Sequence, residues 1–223
     1  MQDSGISVLF KGINFQRLLL GLWVTLRIAL ITIGISLALG LLFGLLMTRK
    51  NRFVRGFCRA WLEIVRFMPQ LVLLYLAYFG FSRLFGWNLE GELSAVLVFS
   101  FWGIAEMGDL FRGALTSIPT HQRESAAALG LTKRQINRYV LLPQTVRRLL
   151  PQVINLATRM IKTTALVKMI NVTEVLKVGQ QIIGQHYREP SVAFWIYATV
   201  LLLYFMICWP ISLLAAWMEK RSE

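Results

Sequence analysis

Long apolar runs broken by short basic connections order this chain. About 20 predominantly apolar residues make a helix long enough to cross the hydrocarbon core of a bilayer. Residues 28–47 meet that length without a charge, behind an interfacial lead-in at 18–26 from which Arg27 can snorkel. Further spans are predicted over 60–81, 93–114, 151–176 and 192–218, the fourth being the least apolar. Five spans place the two ends of the chain on opposite sides. Gly40 and Gly44 in the first span permit close approach of another helix. Pro69, in the middle of the second, predicts a kink.

Charge fixes the orientation. Arg49, Lys50, Arg52, Arg55 and Arg59 follow the first span. Arg123, Lys133, Arg134, Arg138, Arg147 and Arg148 follow the third, and Lys220 and Arg221 end the chain. That side holds thirteen cations, against five on the other: Lys11, Arg17, Arg83, Lys177 and Arg188. By the positive-inside rule the N-terminus is outside and the C-terminus cytoplasmic, with the connection from 115 to 150 also inside. The expected fold class is therefore an all-α integral membrane protein, with residues 1–223 as one membrane domain and no soluble one. The start is not strongly basic and no small-residue cleavage site follows it, so the first apolar segment is read as retained.

Composition agrees with this picture. The 223 residues have a mean hydropathy of +0.58, too apolar for an ordinary soluble domain, and a net charge of +13. A pI near 10.5 invites a nucleic-acid reading, but the cations lie between apolar runs and not along one polar surface. No nucleic-acid partner is expected. Cys58 sits in a basic connection and Cys208 deep in an apolar run, which argues against a disulfide between them.

The cytoplasmic connection has its own local chemistry. Thr132-Lys133-Arg134-Gln135 fits a capping box and predicts a helix start at Thr132. Gly130, just before it, suits a tight turn. Residues 125–129 form a low-relief helix rich in alanine, and Pro143 is expected to end or kink the second helix. From composition alone, this helix–turn–helix could dock in a partner's groove or lie as a basic hairpin on anionic lipid.

Its spacing resembles the EAA loop of binding-protein-dependent ABC importer permeases, E-A-A-x3-G-x9-I-x-L-P. Glu124, Ala126, Gly130, Leu142 and Pro143 match, Ser125 replaces the middle alanine, Ala127 follows, and Val140 replaces the isoleucine. Nearly the whole chain resembles the polar amino-acid permease subfamily. Gly21-Leu22-Trp23-Val24-Thr25-Leu26 is similar to the start of its first span, and Glu63-Ile64-Val65-Arg66-Phe67-Met68-Pro69 to its E-x-x-R-x-x-P. Asp109-Leu110-Phe111-Arg112-Gly113-Ala114 is similar to its E-I-x-R-G-A, and Lys162-Thr163-Thr164-Ala165-Leu166 to its K-x-T-S-L. His121 departs from a frequent glycine, and Glu106 from a usual aromatic residue.

The resemblance implies that the loop, about 116–150, docks on ABC-type ATPase subunits, two per transporter. It implies a second permease chain, identical or homologous, and an extracytoplasmic amino-acid-binding protein, in the bacterial cytoplasmic (inner) membrane. The chain itself is expected to be no enzyme and to hold no cofactor. No glycine is followed by lysine, so there is no P-loop, and ATP and Mg belong to the partner ATPase.

Ionisable residues inside spans are costly and usually face protein or a wet cavity. Glu63 with Arg66, and Asp109 with Arg112, have the three-residue spacing of helix ion pairs. Gln152, Asn155, Arg159 and Lys162 recur at three and four, forming one polar stripe. A substrate pathway is therefore expected at Glu106, Asp109, Asn155, Arg159, Lys162 and Thr163. There Arg159 or Lys162 would receive a carboxylate, and Glu106 or Asp109 an ammonium or cationic side chain. The competing account is that these charges only neutralise one another. His186, Tyr187 and Glu189 mark an outer loop, read as a surface for the binding protein and not as a metal site, because His121 lies across the membrane.

Three rivals from other classes stand beside this reading. A self-sufficient secondary transporter or channel would show repeated halves and discontinuous spans. A membrane enzyme would need a nucleophile–base or metal set. A scaffold for an ATPase would stimulate hydrolysis without uptake.

Overall fold

A computed structural model describes residues 5–220, and Arg221, counted in the charge of the tail, lies outside them. Every regular element described is helical, and a helix satisfies its backbone groups within its own segment, as a lipid-exposed chain must. In order these are α1 (Ser7–Phe10), α2 (Asn14–Met47), α3 (Arg52–Phe67), α4 (Gln70–Tyr75), α5 (Phe81–Phe85), α6 (Gly91–Thr116), α7 (Thr120–Ala128), α8 (Lys133–Gln135), α9 (Leu142–Thr163), α10 (Val175–Gln185) and α11 (Pro190–Lys220). Wide π-helical turns occupy Leu76–Gly80 and Ile136–Leu141, and a tight 3-10 stretch Thr164–Ile170.

Among the described residues three helices are long and apolar enough to cross a membrane: α2, α6 and α11. A fourth crossing arises if α3 and the segment from Gln70 to Leu84 are read as one bent span. The sequence predicts five, and two of its segments differ for physical reasons. Pro69 does not kink a continuous helix but separates two: Met68 and Pro69 are both extended, and α4 starts behind them. That follows from the proline's missing N–H and from the extended backbone it imposes on the residue before it. The segment at 151–176 is not one apolar helix. Its polar stripe lowers the hydropathy of α9, and the chain tightens to 3-10 at Thr164 before Asn171 ends it with a φ of 66°.

The chain divides into two compact units. The first comprises Met1–Ile33, Pro69–Phe99 and Arg159–Pro210. Its larger core joins Leu18 of α2, Val175, Val178 and Ile182 of α10, and Val192, Ile196 and Val200 of α11. Gly21 lets α2 lie against α10: a Cβ there would stand 2.9 Å from the Cα of Val175. Beside this core Glu174 is fully buried at the start of α10. Its carboxylate accepts from the N–H groups of Leu176 (2.9 Å) and Lys177 (2.7 Å), capping the helix, and lies 3.5 Å from the hydroxyls of Thr25 and Tyr204. A second core packs Ile28, Leu74, Val98, Phe99, Val167 and Ile170.

The second unit comprises Gly34–Met68, Ser100–Thr158 and Ile211–Glu223. Here α2 and α6 meet backbone to backbone. A Cβ on Gly44 would come within 2.7 Å of the Gly108 carbonyl oxygen, and one on Gly40 within 2.6 Å of the Met107 Cβ. A Cβ on Gly108 would meet Phe43 at 2.6 Å. In lipid, where apolar tails compete on equal terms with apolar side chains, such close packing is what holds helices together.

Gly44→Leu is therefore expected to destabilise the purified protein by about 1–3 kcal/mol, through overpacking at this crossing. Gly34→Ala, on the same helix with nothing within 4 Å of the added carbon, should leave stability unchanged or slightly raised. Thermal unfolding in detergent compares the two.

Candidate functional site

Two polar regions of the second unit bear on function. The first is the loop from α6 to α9. α7 ends in a Schellman motif: the Leu131 N–H donates to the Ala126 carbonyl (3.2 Å) and the Gly130 N–H to that of Ala127 (2.9 Å). This geometry needs a left-handed residue, and Gly130 supplies it with a φ of 80°. Two residues on, the Thr132 side chain accepts from the Gln135 N–H while Gln135 reaches back to the Thr132 N–H, so the capping box is formed.

Beyond it the chain does not stop at Pro143. α8, the π turn at Ile136–Leu141 and α9 follow without a gap. A proline lacks the N–H its turn would use and crowds the carbonyl behind it. The widened turn absorbs that mismatch, and Gln144 Nε2 donates to the Val140 carbonyl at 3.0 Å. Pro143 thus sits in the first turn of a helix that runs on to Thr163.

The loop has a core of its own, formed by Ile118, Ala126, Ile136 and Leu141. Arg148 ties the end of α6 to α9, donating to the Ser117 carbonyl at 2.7 Å and its hydroxyl at 2.9 Å. Ala126 alone of the alanine run points inward. Glu124, Ser125, Ala127, Ala128 and Gly130 are exposed, as are Leu142 and Pro143, and Leu129 is 82% exposed. Among the described residues Glu124 makes no ion pair. The result is a braced helix that presents small side chains, one leucine and one free carboxylate.

The second region is a charged cluster where α3 faces α6. Arg66 Nε donates to Glu106 Oε1 at 2.9 Å, and its Nη2 to Asp109 Oδ2 at 2.8 Å. Arg112 donates to Asp109 Oδ1 from Nε at 2.9 Å and from Nη2 at 2.5 Å. The expected Glu63–Arg66 pair is not made. Arg66 reaches across to two carboxylates that are mostly shielded from solvent, while Glu63 is exposed and in no ion pair among the described residues. Two fixed, desolvated acceptors outbid one mobile neighbour on the same helix.

A cavity of about 390 Å³ adjoins the cluster, lined by Arg55, Arg59, Glu63, Arg66, Asp109 and Arg112 with Met47 and Leu62. Arg55 and Arg59 were not among the residues singled out from the sequence. Their signal was present: Arg52, Arg55, Arg59, Glu63 and Arg66 share one arc of α3, opposite its apolar side.

The remaining pathway residues lie on α9. Asn155 belongs to its part in the second unit, whereas Arg159, Lys162 and Thr163 form its last turns in the first. Thr163 Oγ1 donates to the Arg159 carbonyl at 2.9 Å. The structure thus brings Glu106 and Asp109 together, each bonded to a guanidinium, and keeps Asn155, Arg159 and Lys162 on one helical stripe.

Residues 17–223 match the family described as the binding-protein-dependent transport system inner membrane component. The chain is 30% identical over 210 residues to the probable amino-acid ABC transporter permease protein YckA of Bacillus subtilis, covering 94% of this chain and 89% of that one. It is 30% identical over 204 residues, 91% of either chain, to the glutamine transport system permease protein GlnP of Escherichia coli. Among solved structures, the crystal structure of an amino acid ABC transporter with histidines shares the fold at a TM-score of 0.86 and 24% identity, covering 99% of this chain and 100% of that one. An inward-facing MetNI methionine ABC transporter gives 0.73 at 21% identity, over 94% and 97%.

Asp109→Asn weakens the hold on both Arg66 and Arg112 and is expected to cost on the order of 1–3 kcal/mol. Glu63→Gln should change stability by less than about 0.5 kcal/mol. Melting curves of the two variants beside the parent check this.

Proposed function

This chain belongs to the family of binding-protein-dependent transport system inner membrane components, and from that premise we propose that it is the transmembrane subunit of an ATP-driven amino-acid importer. Two such chains, identical or homologous, enclose the pathway, and two ABC-type ATPase subunits drive it. An extracytoplasmic binding protein delivers the substrate. The five-span arrangement with the N-terminus outside and the C-terminus inside belongs to this proposal, with α9 as a polar-striped crossing sheltered by the assembly.

The observation that carries the reading is the form of α7. A helix meant only to lie on lipid would turn an apolar face outward. α7 instead offers small residues and the unpaired Glu124, and it stands on a core shared with the π turn that leads into α9. Closure of the ATPases pushes on this helix. Because Ala126 packs with Ile118, Ile136 and Leu141, the push reaches α9 and α6 instead of bending the loop. The membrane helices then rock and open outward, and hydrolysis resets them.

Glu106, Asp109, Asn155, Arg159, Lys162 and Thr163 remain the proposed pathway residues. A zwitterionic amino acid needs an anionic and a cationic partner, and this set supplies both. For Glu106 and Asp109 the task is shared with Arg66 and Arg112, so a substrate ammonium must compete with guanidinium groups already bonded there. That competition favours a cationic amino acid over a neutral one.

In the reconstituted transporter, Glu124→Arg and Gly130→Pro should each abolish substrate-stimulated ATP hydrolysis while the chain still inserts in the membrane. Retained coupling in both would overturn the role given to α7. Glu106→Gln and Arg159→Met should each lower uptake at least about 10-fold, the loss expected when a buried charged contact of some kcal/mol is removed. Uptake unchanged in both would leave these groups as structural ion pairs.

A further inference from the structure

The α2–α3 hairpin carries a feature made of residues that belong neither to the proposed pathway nor to the loop from α6 to α9. Between the last turns of α2 and one side of α3 runs a groove of about 620 Å³. Leu39, Leu42 and Leu46 line one wall and Phe53, Phe57 and Trp61 the other, and its lining includes no charged side chain. Phe53 and Phe57 are 89% and 67% exposed, so this chain leaves the aromatic wall largely uncovered.

The short link from Leu46 to Phe53 carries Arg49, Lys50 and Arg52. All three are exposed, and none is in an ion pair among the described residues. That link joins the two walls at Leu46 and Phe53, so its cations stand next to that end of the apolar groove. Its matching ligand has one anionic end and a long apolar chain.

We propose that this groove binds an anionic phospholipid, with an acyl chain along Leu39–Leu46 and the phosphate against Arg49, Lys50 and Arg52. The stretch from Leu39 to Leu46 spans roughly 10 Å of helix, enough to seat the upper part of an acyl chain. Cationic pockets beside membrane helices select lipid headgroups by charge, and each lysine or arginine near the surface adds to the attraction. A second copy of this chain fits the same face poorly. A two-fold contact through this face would bring a second set of the three cations into the same contact, and the groove lining offers no acidic side chain to neutralise them. A zwitterionic lipid fills the apolar part equally well but leaves the cationic end without a net anion.

The test uses the full chain in its assembled, delipidated transporter. Phosphatidylglycerol and phosphatidylcholine with identical acyl chains are titrated separately, and bound lipid is counted by native mass spectrometry. The parent should bind phosphatidylglycerol at least about 10-fold more tightly than phosphatidylcholine. The combined R49Q/K50Q/R52Q variant should lose most of that preference, falling below about 2-fold, while K11Q/R83Q/K177Q, which removes three cations elsewhere, should keep it. A photo-reactive phenylalanine analogue in place of Phe57 should cross-link to glycerophospholipid in native membranes. Equal binding of the two lipids, or a preference that survives in R49Q/K50Q/R52Q, would overturn the proposal. So would a Phe57 cross-link made mainly to another polypeptide, which would mark the groove as a subunit contact.

Discussion

The second unit is organised by the place where α2 and α6 cross with almost nothing between them. Gly40 and Gly44 on one helix meet Met107 and Gly108 on the other. No hydrophobic drive favours this contact in lipid, so it rests on close-range dispersion and on the absence of side chains that would prop the helices apart. It fixes the rotation of α6, because Gly108 must face α2. Asp109 is the next residue, about 100° further round the helix, and Glu106 lies two residues back. With Gly108 committed, both carboxylates come within reach of Arg66 on α3. One steric requirement thus decides where the costliest charges in the unit can be neutralised.

What the sequence discloses of this fold is what local chemistry decides. The cap at Thr132 and the left-handed turn at Gly130 depend on a few neighbouring residues, and both are visible in their order. The glycine pair in the first long helix is visible too, although its partner Gly108 is not. Misreadings arise where a residue had a choice. Pro69 could kink or separate, and the extended backbone at Met68 made it separate. Pro143 could end or kink its helix, and the widened turn before it let the helix continue. Arg66 could pair along its own helix, and only the tertiary packing shows the better acceptors on α6.

The candidate site divides in the same way. The turn and the cap of the loop from α6 to α9 were legible because a glycine and a Thr-x-x-Gln box occur in a fixed order. The inward turn of Ala126, and the arginines beside Glu63, needed the helix phases to be known. Buried Glu174 has no signature of its own in the sequence. A glutamate ahead of a helix is common, and only packing reveals that Thr25 and Tyr204 close over it.

The widened turn at Ile136–Leu141 also sets the bookkeeping of every position after it. A wide turn of this kind acts as one residue added to an otherwise regular helix, and one residue corresponds to about 100° of rotation. A stripe traced through α8 at regular spacing therefore arrives on a different azimuth in α9. Gln152, Asn155, Arg159 and Lys162 share a face through their own spacing on α9, and that offset sets where the shared face points relative to α8. Relatives that lacked the extra residue could keep every one of these side chains and still aim them elsewhere.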